Sequence, residues 1–157
     1  MKTELIVVGK TTDSKLEALI SDYMERIKHY IPFDITVLPE LKGTKGLTFE
    51  QQKEREADLL LKSFRSGDCV VLLDEGGKEF RSIDFSKYIQ YKLASPVRRL
   101  LFVIGGPYGF SESVYKAATE KLSLSKMTFS HQMIRLLFVE QVYRSMTILK
   151  GEPYHHE

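Results

Sequence analysis

Three stretches of the chain carry residue types able to do chemistry. The first is Gly105-Gly106-Pro107-Tyr108-Gly109, where missing side chains let a ligand reach the backbone closely. Its glycines are spaced G-G-x-x-G, so it is neither a G-x-G-x-x-G turn nor a phosphate-gripping loop ending in G-K-[ST]. Taken alone, it reads first as a tight strand-to-helix turn. The second is Leu124-Ser125-Lys126-Met127-Thr128-Phe129-Ser130-His131-Gln132, whose hydroxyls can hold a ligand or cap the helix that follows, Ser130 being well placed for the cap. His131 at a helix start reads as a solvated or hydrogen-bonded side chain rather than a catalyst. The third is the C-terminal end, where Arg135, Glu140, Gln141, Tyr143 and Arg144 interrupt an apolar helix and Tyr154, His155 and His156 follow. Adjacent histidines without a helical His-x-x-x-His pair are a poor zinc signature, so no metal is expected. A chain end of this kind reads as frayed surface.

The elements that must position these stretches alternate. Thr3–Gly9 is an apolar strand, and Asp13 caps a helix whose Leu16, Leu19, Ile20, Tyr23, Met24 and Ile27 keep helical spacing before Pro32. Phe33–Leu38 alternates as a second strand. A loop over 39–46 precedes the capping box Thr48-x-x-Gln51 and a charged helix to about Phe64. Cys69–Leu73 is the third strand, Asp84–Leu93 the third helix and Leu100–Ile104 the fourth strand. A short helix from about Ser111, a weak strand near Lys121–Leu124 and a last helix over His131–Lys150 complete the order. Such alternation favours a parallel sheet covered by helices on both faces, with ligands beyond the carboxyl ends of the strands. The last helix has so many apolar residues that it must be central or dimerise.

Composition narrows the class. At 157 residues, 43% hydrophobic and 28% charged, the chain fits one packed domain, 1–157, needing neither disulfide nor structural metal. Cys69 sits in an apolar run and reads as a buried strand residue. The opening apolar run is too short for a signal-peptide core or a membrane span, so a cytoplasmic protein with no membrane partner is expected. A formal charge of +2 neither requires nor excludes a nucleic-acid partner.

The ordered set Val103-Ile104-Gly105-Gly106-Pro107-Tyr108-Gly109, Leu122-Ser123-Leu124-Ser125-Lys126-Met127-Thr128-Phe129, His131-Gln132-Met133-Ile134-Arg135, Glu140-Gln141-Val142-Tyr143-Arg144 and Pro153-Tyr154-His155 resembles the RlmH family of SPOUT methyltransferases. Together with Val8-Gly9-Lys10 and the chain length, the resemblance spans essentially the whole chain. It implies an α/β SPOUT fold, a mostly parallel sheet flanked by helices with a C-terminal trefoil knot; periodicity alone suggests only an open doubly wound sheet. It further implies a homodimer that transfers a methyl group from S-adenosylmethionine to N3 of a pseudouridine in large-subunit (23S) ribosomal RNA, within the assembled ribosome. Carried over residue by residue, the cofactor pocket falls on Leu73, Gly105, Leu124, Ser125, Lys126, Met127, Thr128 and Phe129. Ser130 stands where the family often has proline, and His156 where a basic residue commonly follows Tyr-His.

Methyl transfer from a sulfonium donor needs positioning above all, and the imide proton at N3 needs a base or a stabilised anion. His155 is the candidate base, with Tyr154 and Arg144 orienting the nucleobase edge or stabilising the anion; the alternative is that His155 only binds RNA. The tail is expected to become ordered over the cofactor when RNA docks, one subunit completing the other's site. Lys10, Arg98, Arg99, Lys121 and Arg135 are the candidate phosphate contacts. The rivals are a nucleotide- or flavin-binding module using the Gly105–Gly109 turn and a structural dimer docking a partner through its last helix.

Overall fold

Leu5–Val8, Val70–Leu72 and Leu100–Ile104 are apolar without alternation, and all of these residues are buried, as parallel strands covered on both faces require. The computed structural model describes residues 1–156; Glu157, the end of the tail read above, lies outside the described residues. In chain order the elements are β1 (Lys2–Val8), α1 (Ser14–Ile27), β2 (Phe33–Leu38), α2 (Phe49–Ser63), β3 (Asp68–Glu79), α3 (Ser82–Leu93), β4 (Arg99–Ile104), α4 (Glu112–Ala117), β5 (Glu120–Ser123) and α5 (Met133–Leu149). The strands form one sheet in the order β2-β1-β4-β3-β5, every neighbouring pair parallel.

Two cores cover the sheet. On one face Ile20, Met24 and Ile27 of α1, Phe85 and Ile89 of α3, and Phe138, Val139, Val142 and Met146 of α5 pack on the strands. On the other, Ala57 and Leu60 of α2 join Val114 of α4. α5 contacts both α1 and α3, which explains its apolar excess. A stripe along it stays only partly covered, with Met133 43% exposed and Leu137 partly exposed. Local signals start the helices as read: Asp13 Oδ1 accepts from Lys15 N at 2.8 Å and Leu16 N at 3.1 Å, and Thr48 and Gln51 close a reciprocal capping box.

The main difference from the sequence reading is β3, which continues past Leu73 to Glu79. Leu73 and Lys78 both stand opposite Leu122, so residues 74–77 leave the regular ladder between them. Gly77 passes so near β5 that a Cβ there would lie 2.6 Å from Leu122 N, which is why glycine is needed. This polar extension has no apolar period to betray it. α3 begins two residues earlier than expected, at Ser82, and α5 two later, at Met133, with Ser130 Oγ accepting from Met133 N at 3.1 Å.

Two candidate phosphate contacts are displaced by the fold. Arg98 and Arg99 stand at the amino end of β4, the wrong end of the sheet for a site beyond the carboxyl ends. Arg99 is also consumed in a buried cluster, donating to Asp68 at 2.9 and 2.6 Å and to Glu4 at 3.3 Å. Among the described residues no helix is long and apolar enough to cross a membrane.

Candidate active site

The carboxyl ends of β3, β4 and β5 open onto a cleft of about 370 Å³, within the size range of small-molecule sites. Leu73, Asp74 and Glu75 follow β3; Ile104, Gly105, Gly106, Pro107, Gly109 and Phe110 follow β4; Ser123, Leu124, Ser125, Met127, Thr128 and Phe129 follow β5. His131 and Ile134 at the start of α5, with Tyr115 of α4, close it. Seven of the eight residues assigned to the cofactor pocket thus line one cavity. The eighth, Lys126, points away, its side chain 85% exposed and 3.8 Å from Glu79.

Each wall has a local cause. A Cβ at Gly105 would lie 2.9 Å from the buried Phe110 ring, and one at Gly106 would collide with the Glu56 carboxylate, so only glycine lets this turn pack as it does. Glu56 Oε1 accepts from Gly106 N at 2.8 Å, fixing the turn from α2. Burial raises the Glu56 pKa, and the Gly106 N–H partly opposes that. Across the cleft Ser123 Oγ donates to Ser125 O at 2.9 Å, Ser125 Oγ accepts from Met127 N at 2.9 Å, and Thr128 Oγ1 donates to Glu75 at 2.7 Å. Ser123, Ser125 and Thr128 therefore shape their loop, and Ser130 is the hydroxyl that bonds the start of α5. Tyr115 donates to Asp74, and burial followed by that bond pushes its pKa up to about 12. His131 is held below the usual histidine range by burial and then by Arg135, with Glu40 opposing.

Arg135 does not face solvent as a phosphate contact must. It is 2% exposed, donating to Val8 O at 2.9 Å, Gly9 O at 2.8 Å, Thr11 Oγ1 at 3.2 Å and His131 O at 3.1 Å. The guanidinium ties the carboxyl end of β1 to the first turn of α5. Burial alone lowers its pKa, but an arginine stays charged.

The other three candidates lie together, away from the cleft. Arg144 Nη1 is 3.0 Å from His155 Nδ1, and Arg144 Nη2 donates to Glu140 at 2.5 Å. Tyr154 donates to the same Glu140 oxygen at 2.9 Å, lies 3.2 Å from the Tyr23 hydroxyl and stacks under Arg144 at 4.8 Å. Burial, then the bonds to Tyr23 and Glu140, raises the Tyr154 pKa. The tail is not a frayed end: Tyr30 donates to Glu152 at 2.7 Å and Glu152 N to Thr147 O at 2.9 Å. Tyr23, Tyr30, Tyr143 and Glu140 hold it down. Since a guanidinium only donates, Nδ1 of His155 accepts, and a neutral ring carries its proton on Nε2. With a rise of 1.5 Å per residue, Arg144 stands about 15 Å along α5 from Ile134, the last residue of that helix at the cleft.

The sequence reading missed Asp74, Glu75, Glu56 and Tyr115. The first two follow directly after Leu73 on β3; Tyr115 reaches the cleft, and Glu56 its glycine turn, from helices that leave no local signal.

A family model described as predicted SPOUT methyltransferase matches residues 1–155. Ribosomal RNA large subunit methyltransferase H of Bacteroides fragilis is 62% identical over 157 residues, covering 100% of both chains. The protein of that name from Bacteroides thetaiotaomicron is 60% identical, and that from Flavobacterium johnsoniae 53%, each again over 100% of both chains. A match this extensive, on a parallel sheet whose cleft gathers the glycine turn and the loop before α5, places the chain in the RlmH family of SPOUT methyltransferases.

Proposed function

We propose that the protein is a ribosomal RNA methyltransferase, which transfers the methyl group of S-adenosylmethionine to N3 of a pseudouridine in the large-subunit RNA of the assembled ribosome, in the cytoplasm and as a homodimer. The observation that carries the reading is the cleft: residues from three separate loops converge on one cavity of suitable size, in a chain whose full-length relatives are named as ribosomal RNA methyltransferases. Its walls fit such a cofactor. Glycines at 105 and 106 expose backbone, Leu73, Leu124 and Phe129 offer apolar contacts, and Asp74 and Glu75 bring negative charge toward a cationic ligand. When bound, the cofactor supplies an electrophilic methyl on a sulfonium. No metal is needed for that chemistry.

The chain's own residues must then position the nucleobase and manage one proton. Arg144 and Tyr154 are the groups that orient the nucleobase and stabilise negative charge developing on its carbonyl oxygens. Nδ1 of His155 becomes able to accept the N3 proton once Arg144 turns its Nη1 donors from the imidazole to that charge, keeping its bond to Glu140. Cleft and tail of one chain are separated along α5, so the site is completed by the tail of a second copy, α5 packing across the dimer axis through its part-exposed Met133 and Leu137. The C-terminal knot of the family completes the proposed fold, with 1–157 acting as one domain.

The test is methyl transfer from labelled S-adenosylmethionine to ribosomes lacking the modification, with the labelled nucleotide identified by mass spectrometry. His155→Ala should keep cofactor affinity and lose most transfer; unchanged turnover removes His155 from the mechanism. Mixing His155→Ala subunits with a cleft-blocked variant, Leu124→Trp, should restore activity through heterodimers. Failure to restore it, with subunit exchange demonstrated, rejects a site shared between subunits.

A further inference from the structure

Two large aromatic rings stand in solvent at the rim of the cleft. Phe49, the first residue of α2, is 63% exposed and Tyr108, in the glycine turn, is 41% exposed. They stack on one another with centroids 4.2 Å apart and planes 19° from parallel. Neither belongs to the buried clusters. Tyr108 lies between Pro107 and Gly109, both lining the cleft, so the stack continues its wall outward. The loop after β2, which leads into α2, carries Lys42 and Lys45, and Lys10 follows two residues after β1. All three lysines are exposed, and among the described residues none forms an ion pair. The loop is tied to α2 because Arg55 donates to Lys42 O at 3.1 Å and Gly43 O at 3.5 Å. Glu40 is the acidic residue among them; Glu50 and Lys53 pair with each other at 3.2 Å.

We propose that the Phe49–Tyr108 stack is a platform for an unpaired nucleobase flanking the modified nucleotide, with Lys10, Lys42 and Lys45 contacting the adjoining phosphates. This rests on the reading of the protein as an RNA methyltransferase. A flat, solvent-exposed pair of rings flanked by cations without ion pairs is the arrangement that binds single-stranded nucleic acid without reading sequence. Protein–protein interfaces are instead depleted in lysine relative to the rest of the surface.

The experiment measures ribosome methylation at saturating S-adenosylmethionine against ribosome concentration. Phe49→Ala should raise KM for ribosomes about 5- to 150-fold with kcat little changed, the range that loss of one stacked base accounts for. Phe49→Trp should restore the wild-type KM, because it keeps a flat π surface. The double variant Lys42→Ala/Lys45→Ala should flatten the salt dependence of KM by about 1–2 units of logarithmic slope. An unchanged KM in Phe49→Ala overturns the platform, as does a loss of cofactor affinity or of dimer in that variant, which would make the stack part of the pocket or of a subunit interface. Wild-type protein that labels no ribosomes defeats the parent reading instead, and the platform is then judged separately. The chain contains no tryptophan, so Phe49→Trp reports on its own ring: a single-stranded RNA oligonucleotide should quench it at low salt, and absence of quenching overturns the platform.

Discussion

Replacing Arg135 separates two roles that one cation can play. Arg135→Met keeps the length of the stem and deletes the five N–H donors. The carbonyls of Val8 and Gly9 then lose donors in buried bonds of 2.9 and 2.8 Å. Each buried acceptor left unpaired costs about 1–3 kcal/mol, so the two set a penalty of about 2–6 kcal/mol. Removing the guanidinium also removes its own cost of burial, visible in its lowered pKa, which offsets part of that penalty. The expectation is a loss of about 2–4 kcal/mol, or a fall of about 1–2 M in the urea midpoint at an m-value of about 2 kcal/mol/M. Denaturation at fixed protein concentration measures it, alongside the salt dependence of ribosome methylation. A phosphate contact behaves in the contrary way, leaving the midpoint alone and reducing the logarithmic salt slope by about 1. An unchanged midpoint with a flattened salt dependence would refute the structural role argued for Arg135.

Two further predictions follow from the groups around the cleft. Glu56→Ala unpairs Gly106 N–H and should cost about 1–3 kcal/mol and reduce the thermal shift produced by S-adenosylmethionine, whereas Glu56→Gln keeps a carbonyl acceptor and should bind normally. Because burial raises the Glu56 pKa, its folded form favours the proton; stability is lost as pH rises through that raised value. Glu56→Gln should therefore gain on wild type as pH rises from about 4.5 through the raised value, and parallel pH profiles would show that the carboxylate is not the cause. His131 is shifted the other way, with its folded pKa below the unfolded one, so its contribution is complete above about 6.5 and is lost as pH falls below that value. The melting temperature of His131→Gln should fall less than that of wild type between pH 6.5 and 5 as an approximate window set by the unfolded histidine; equal slopes would place the acid sensitivity elsewhere.

What could be read from the chain divides by whether the signal is local. Asp13 and Thr48 cap helices through bonds spanning two or three residues, and the strands at Leu5–Val8 and Leu100–Ile104 declare themselves by unbroken apolar runs, so both were legible. The cleft loops were legible through their family resemblance and their position after strands. Arg135 was not, because an arginine among apolar helical residues shows the same pattern whether its head meets water or two buried carbonyls. Only the approach of Gly9, distant in sequence, decides the matter. The same holds for Glu56, whose partner Gly106 lies on another element, and for the tail, where Glu140 and Tyr23 supply partners that the terminal residues do not announce.

α5 turns this separation into a constraint on mechanism. Its first turn, anchored by Arg135 to β1, supplies Ile134 to the cleft; its later turns carry Glu140 and Arg144, which hold Tyr154 and His155. A helix packed between α1 and α3 cannot bend to bring its two ends together, and the tail that follows is bound back onto α1 rather than reaching forward to the cleft. Two remedies exist: the tail detaches and crosses about 15 Å within its own chain, or a second copy presents its tail to this cleft. The first breaks the hydrogen bonds of Tyr154 with Tyr23 and Glu140 and of Tyr30 with Glu152; the second keeps them. That difference favours a shared site, and it makes the heterodimer mixing experiment decisive, because a detached tail serving its own cleft yields no recovery when the defects lie on different chains.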